Sequence, residues 1–343
     1  MSKEKPDNAQ PLEDETEIEK LDAEGDVTLV VGGNSVSPRQ FLVSSKVLSL
    51  ASPVFAKLFG PHFLEGSQMA KHGSITIHLD EDDAKGMGTI LGILHYQEIP
   101  EIEKLSAKEI VTVVICCDKY DCARVIQLWI EKWFRSLDQG LSAKEYGHAL
   151  LAAHLLRASD DFSQITRRIQ LEFGLGSFHA WDGEEILTLL PRSIRRDLTK
   201  AIGDLLNRIH HELQSMDLVL KGTAPVRKCG MMCMTCGKES FLSDISKCYY
   251  CKTHTSNPCK EDHRVDVYFS MLRKKNLWPS ITPFQTLSAN ALAVSIKRLK
   301  DDLEPSCDEA SGCVVTPELK GLEERIDGII GNVKGLSLYP LSG

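Results

Sequence analysis

A β-forming run near the start of the chain most strongly limits its fold. Val27–Val31 read Val-Thr-Leu-Val-Val, and the turn-forming triplet Gly32-Gly33-Asn34 follows directly. β-branched and aliphatic residues before a glycine-rich turn predict a strand that enters a hairpin. The returning strand is predicted within residues 35–43. Residues 74–79 alternate apolar and polar side chains, which predicts a further strand with one buried face.

Two short helices are predicted after the hairpin. Ser44 or Ser45 can cap the first, and Ser52 with Pro53 opens the second, because serine suits the N-cap position and proline the first turn. Their buried faces are predicted to carry Val47, Leu48, Leu50, Val54, Phe55, Leu58 and Phe59.

Further helices follow the last predicted strand. Residues 87–96 are mostly apolar and predict a buried helix. Ser106 and Glu109 have the spacing of a capping box before the next helix. Residues 125–134 predict another amphipathic stretch, whose apolar residues include Leu128. Strands followed by small helices that pack on them predict an α+β domain.

The order of these residues resembles that of the BTB/POZ family. The matching residues are Gly25-Asp26-Val27, Phe41-x-Val43, Val47-Leu48, Ser52-Pro53-Val54-Phe55, Phe59, Phe63-x-Glu65, Ile77-x-Leu79-x-Glu81-Asp82, Leu94-x-Tyr96 and Lys119-Tyr120-Asp121. The variant over residues 41–55 is similar to BTB proteins of filamentous fungi. Many animal members carry histidine in the place of Ser44.

The resemblance implies a small mixed sheet flanked by short helices and a role in binding other proteins. It implies a homodimer, with Asp26, Val27 and residues 44–56 as the candidate interface. Phe63 and Glu65 stand where cullin-binding relatives carry a hydrophobic-x-acid motif, which implies a ubiquitin-ligase substrate adaptor. The ring would fill a pocket and the carboxylate would meet a basic group. The alternative for Phe63 is a core residue.

Composition and periodicity divide the chain into five parts. Residues 1–23 are acidic and lack aromatic side chains, so they are predicted to form a disordered tail. Residues 24–136 are assigned to the BTB/POZ domain. Residues 137–220 have helical periodicity throughout, which predicts an all-α extension. Residues 221–275 form a cysteine-rich segment, and residues 276–343 are predicted to be C-terminal helices with a linker.

The cysteine-rich segment carries a metal-binding pattern. Two Cys-x-x-Cys pairs, Cys233 with Cys236 and Cys248 with Cys251, are separated by eleven residues. Each pair can wrap a tight turn, so the four thiolates are predicted to hold a structural Zn²⁺. Additional or replacement ligands could be Cys229, His254, Cys259 and His263. Buried thiols and a redox pair remain alternatives, although no thioredoxin-like frame is evident.

These patterns favour an adaptor or scaffold over other classes of protein. Between Lys221 and Lys275 there are eleven basic and five acidic residues. The alternative is therefore a nuclear or chromatin-associated regulator that binds nucleic acid or acidic partners there. No phosphate loop, nucleophile elbow or metalloprotease motif is present, so an enzyme is not expected. The lack of a secretory signal or membrane-length apolar run predicts a cytoplasmic or nuclear protein.

Overall fold

The computed structural model describes most of the chain, in several stretches. These are residues 17–32, 38–98, 102, 104–137, 140–222, 231–232, 236, 239–240, 251, 261–303 and 315–338. The chain divides into two compact units, Met1–Ala158 and Ser159–Gly343. Each unit has its own set of buried apolar side chains.

A four-stranded mixed sheet organises the first unit. Its strands are β1 (Ile18–Lys20), β2 (Val27–Val31), β3 (Arg39–Val43) and β4 (Ile75–Leu79), in the order β1-β3-β2-β4. β2 and β3 are antiparallel, as the predicted hairpin requires, whereas β1–β3 and β2–β4 are parallel. Every second side chain of β2 is fully buried, so one face of this strand lies in the core.

The edge strand β1 lies within the tail that was predicted to be disordered. Its residues Ile-Glu-Lys are exposed and show no apolar alternation. Main-chain pairing with β3 holds the strand, with Ile18 opposite Gln40. The next residue, Leu21, is buried, and its N–H donates to the carbonyl of Leu42 over 3.0 Å. The ordered part of the first unit therefore begins before residue 24.

Seven helices accompany the sheet within the described part of the first unit. They are α1 (Ser45–Ala51), α2 (Pro53–Leu58), α3 (Leu64–His72), α4 (Ala84–Leu94), α5 (Ala107–Tyr120), α6 (Gln127–Ser136) and α7 (Ala143–Leu155). The predicted capping box forms at the start of α5, where Ser106 and Glu109 exchange hydrogen bonds. α5 packs on both α4 and α7, so the core of this unit extends past residue 136.

The second unit is largely helical. Its described α-helices are α8 (Ser159–Glu172), α9 (Arg192–Gly222), α10 (Glu261–Lys274), α11 (Pro283–Thr286), α12 (Ala289–Lys297) and α13 (Val315–Gly331). Within the same described stretches, three 3-10 helices accompany them, Leu175–Trp181, Glu185–Leu189 and Leu299–Asp302. The long helix α9 packs against α8, α10, α12 and α13. Its buried face includes Leu198, Ile202 and Ile209, as helical periodicity predicted.

A short hairpin, made of two strands of two residues each, also belongs to this unit. β5 (Met231–Met232) pairs antiparallel with β6 (Glu239–Ser240). Among the residues that the structure describes, every helix is too short or too polar to cross a lipid bilayer.

Candidate protein-interaction surface

Two side chains hold the beginning of α1 in place. The carboxylate of Asp26 accepts hydrogen bonds from the main-chain N–H of Ser45, at 2.7 Å, and from its hydroxyl, at 2.6 Å. The N–H of Ser44 donates to Nε2 of His95 over 3.1 Å. Nδ1 of His95 lies 2.8 Å from the carbonyl of Leu91, so Nδ1 carries the proton in this arrangement. Asp26 and His95 therefore fix α1 to the ends of β2 and α4.

The side chain of Val27 lies in the core. Val27 is fully buried and stands between Val43 of β3 and Ile75 of β4 in the sheet register. A fully buried side chain is not accessible to a partner, so the prediction that Val27 belongs to the interface is wrong. Asp26, which is only partly buried, acts on the proposed surface indirectly by anchoring α1.

Inward contacts also fix α2. The hydroxyl of Ser52 accepts from the N–H of Phe55 over 3.1 Å and donates to the carbonyl of Tyr120 over 2.6 Å. The ring of Phe55 stacks on that of Tyr120, with their centroids 4.5 Å apart. These contacts tie α2 to the end of α5.

Two apolar side chains on α1 and α2 point away from the core. Leu50 is 82% exposed and Val54 is 39% exposed, although both were predicted to lie on buried faces. Leu48 and Phe55 fill the core positions of these helices. The segment thus presents apolar side chains to solvent from a fixed backbone.

The residues around the start of α3 form a second exposed apolar site. Phe63 precedes α3 and is 47% exposed, so the alternative that it is a core residue is wrong. Leu64 is more exposed still, and Glu65 lies in the first helical turn. A Cβ on Gly66 would lie 2.0 Å from the carbonyl oxygen of Gly60, so only glycine fits this close approach.

A polar network around the buried carboxylate of Asp82 joins the end of β4 to α5. The Tyr120 hydroxyl donates to Oδ2 of Asp82, and Nζ of Lys119 lies 2.7 Å from Oδ1 of the same carboxylate. Burial and the hydrogen bond to Asp82 raise the pKa of Tyr120. All three residues belong to the motifs that carried the resemblance, but their mutual contact was not predicted.

Comparison with protein families is consistent with these features. The model of the BTB/POZ domain family matches residues 18–133. These residues form a BTB/POZ domain. The match begins at β1 and ends within α6. No curated protein matches the chain.

The family supplies a general function for this part of the chain. BTB/POZ domains mediate dimerisation and the binding of protein partners, and they are generally not enzymes. The surfaces built by α1, α2 and the start of α3 belong to this domain. The chain is therefore a protein with a BTB/POZ interaction domain and a mostly helical second unit.

The predicted metal ligands lie beyond the BTB/POZ domain. Cys229, Cys233, Cys248, His254 and Cys259 are outside the described residues. Cys236 and Cys251 are described and partly exposed, and His263 is in the first turn of α10. Within the described residues, no group of three metal-binding side chains comes together. The zinc site thus stays a prediction.

Proposed function

We propose that this chain is a protein-interaction adaptor or scaffold that forms a homodimer through its BTB/POZ domain. The observation that carries the proposal is the exposure of Leu50 and Val54 on helices whose inward faces are firmly anchored. Single exposed apolar residues are common on monomers, but two on neighbouring fixed helices suit a self-complementary contact. In a two-fold interface the same two residues are buried in both protomers.

The replacement of Leu50 by aspartate tests the dimer. Burial of one leucine contributes about 1.5–3 kcal/mol, so the loss of two leucines should weaken the dimer at least about a hundredfold. Sedimentation equilibrium of the full chain measures this dissociation constant. Leu128→Asp is the matched control, because Leu128 is 81% exposed in the same unit but lies on α6. A monomeric wild type, or equal losses in both variants, would contradict the proposal.

We further propose that the Phe63–Glu65 site contacts a cullin, which would make the protein a ubiquitin-ligase substrate adaptor. The proposal is supported by the exposure of Phe63 and Leu64 and by the carboxylate of Glu65 beside them. An exposed ring can enter a partner's pocket without any unfolding of its own domain.

Binding to a purified cullin scaffold tests this contact. Phe63→Ala and Glu65→Lys should each reduce binding at least tenfold, while Leu128→Ala should leave it unchanged. Circular dichroism confirms that each variant is folded. If wild type does not bind any cullin, the ubiquitin-ligase role fails and the scaffold role is unaffected.

The cysteine-rich segment is proposed to hold one structural Zn²⁺ through Cys233, Cys236, Cys248 and Cys251. The proposal is supported by the hairpin β5–β6, in which Met232 pairs with Glu239 and residues 233–238 connect the strands. Both cysteines of the first pair lie in this short connection, as a zinc knuckle requires. Cys229, His254, Cys259 and His263 would then be available for other contacts.

Metal analysis of the full chain tests the zinc proposal. Atomic absorption should give one zinc per wild-type chain and much less for Cys236→Ser or Cys251→Ser. Cys313→Ser is the matched control, since Cys313 lies outside the cysteine-rich segment. A wild-type chain purified without chelator that contains no zinc would rule the site out.

A further inference from the structure

Strand β4 forms one edge of the four-stranded sheet. In the order β1-β3-β2-β4 it has β2 on one side and, among the described residues, no strand on the other. The N–H of Ile75 donates to the carbonyl of Asp26, next to β2, over 3.0 Å. Neighbouring residues of a strand direct their main-chain groups to opposite sides. The N–H and C=O groups of Thr76 and His78 therefore point to the open side of the sheet.

The two edges of the sheet differ in their protection against further strands. The edge strand β1 carries the exposed charges Glu19 and Lys20, and such charges discourage pairing with another chain. β4 reads Ile-Thr-Ile-His-Leu and contains no proline, lysine or acidic residue. β-branched residues favour the extended conformation, so β4 is a regular strand that can accept another strand at its edge.

The sequence of β4 is self-complementary about its central residue, Ile77. In an antiparallel pair of two copies centred there, Thr76 of one copy faces His78 of the other, and the two residues exchange N–H···O bonds. The two-fold axis repeats this pair, so the outward main-chain groups of both copies are satisfied. Ile75 of one copy faces Leu79 of the other, and both are half-buried in the single sheet. The pairing thus also covers apolar surface.

Charges at the two ends of β4 favour this antiparallel direction. Lys71 and His72 precede the strand, and Asp80 and Glu81 follow it. All four side chains are exposed. Within the described stretches, Lys71, Asp80 and Glu81 form no ion pair. An antiparallel pair brings the basic start of one strand to the acidic end of the other, whereas a parallel pair would bring like charges together.

We propose that β4 is a second self-association surface, at which two copies of this chain pair their β4 strands antiparallel about Ile77. The occupant is a second copy because the register and the charges of the strand complement those of the strand itself. This contact goes beyond the dimer proposed for Leu50 and Val54 and does not depend on it. A chain that makes both two-fold contacts assembles into species larger than a dimer.

Amide hydrogen exchange of the full-length Leu50→Asp chain tests the β4 contact by itself, because this variant removes the other proposed contact. As the protein concentration is raised, exchange at the amides of Thr76 and His78 should slow at least about tenfold. The amide of Ile75 is the internal control, since its bond to Asp26 lies within one copy and gives the same protection at every concentration.

A proline variant removes one of the outward donors. Thr76→Pro eliminates the N–H that points to the open side and leaves the bond of Ile75 intact, and an edge strand tolerates proline at such a position. In the Leu50→Asp background it should weaken association at least about tenfold, as measured by sedimentation equilibrium. Circular dichroism confirms that the variant is folded.

A charge reversal supplies a test that does not depend on the proline. Lys71→Glu in the Leu50→Asp background should weaken association, because it places an acidic residue against the acidic end of the other strand. Adding Glu81→Lys to the same chain should restore it, since opposite charges then meet again across the contact. If Thr76→Pro unfolds the chain, this pair of variants decides.

Three results would overturn the proposal. These are exchange at the amides of Thr76 and His78 that does not change with concentration, association that a folded Thr76→Pro chain keeps in full, and no restoration by Glu81→Lys. Failure of the other contact is read separately. If Leu50→Asp associates as strongly as wild type, the dimer through α1 and α2 fails, whereas the amides of Thr76 and His78 still report on β4.

Discussion

Replacement of Tyr120 by phenylalanine should destabilise the BTB/POZ domain by about 2 kcal/mol. The Tyr120 ring is buried, and its hydroxyl donates to the equally buried carboxylate of Asp82. A hydrogen bond to a charged group contributes about 1.5–3 kcal/mol. Lys119 remains 2.7 Å from Oδ1 in the variant and still balances the charge, which places the loss in the lower half of this range. Phenylalanine keeps the stacking on Phe55.

Native-state hydrogen exchange is the appropriate assay, because the chain has two compact units that need not unfold together. Amides of β2 report the opening of the first unit, and a loss of 2 kcal/mol should accelerate their exchange about 30-fold. Tyr96→Phe is the matched control, since Tyr96 is 95% exposed and the same chemical change should have no effect there.

A double variant isolates the contact itself. Asp82→Ala combined with Tyr120→Phe should lower the free energy of unfolding by less than the sum of the two single changes, because the two residues share one hydrogen bond. The reasoning would be refuted by exchange in Tyr120→Phe no faster than in Tyr96→Phe, or by additive losses in the double variant.

Three other predictions concern stability. The pKa of Glu109 is lowered from 4.5 to about 2, first by its hydrogen bond with Lys85. Its carboxylate therefore stabilises the fold above pH 4.5 and loses this effect as the pH falls towards 2. The melting temperature of Glu109→Gln should fall less steeply than that of the wild type as the pH is lowered through this interval. An equally steep fall in both proteins would contradict the assignment. Gly66→Ala should destabilise the first unit by about 1–3 kcal/mol, because its Cβ would collide with Gly60. Amide hydrogen exchange in β2 at the wild-type rate would argue against this close approach. Gly203→Ala, whose Cβ meets no atom within 4 Å on α9, should instead stabilise the second unit by about 0.5–1 kcal/mol, and slower exchange in α9 would confirm it.

Local signals in the sequence were sufficient for much of the first unit. The hairpin between β2 and β3 follows from a β-forming run and a glycine-rich turn, and the start of α5 follows from the capping box of Ser106 and Glu109. These features depend on residues close together in the chain. β1 could not be predicted, because a polar strand that pairs only through its main chain leaves no pattern of side chains.

The sequence did not predict which apolar side chains of α1 and α2 are exposed. In the short helices α1 and α2, apolar spacing fits more than one face, and the tertiary contacts of Leu48 and Phe55 decide which face is buried. Leu50 was therefore placed in the core and is exposed. The bond between Ser44 and His95 joins residues far apart in sequence, so no local signal could reveal it.

The packing of α7 on α5 separates two boundaries that are often treated as one. Family resemblance ends at residue 133, whereas the compact unit continues to Ala158. Tyr146, Leu150 and other buried residues of α7 belong to this unit. A gene rearrangement that moved only residues 18–133 would leave α7 behind. The apolar face of α5 that packs on α7 would then be exposed to solvent. Domain shuffling that preserves solubility must therefore carry α7 along, even though its sequence does not mark it as part of the family.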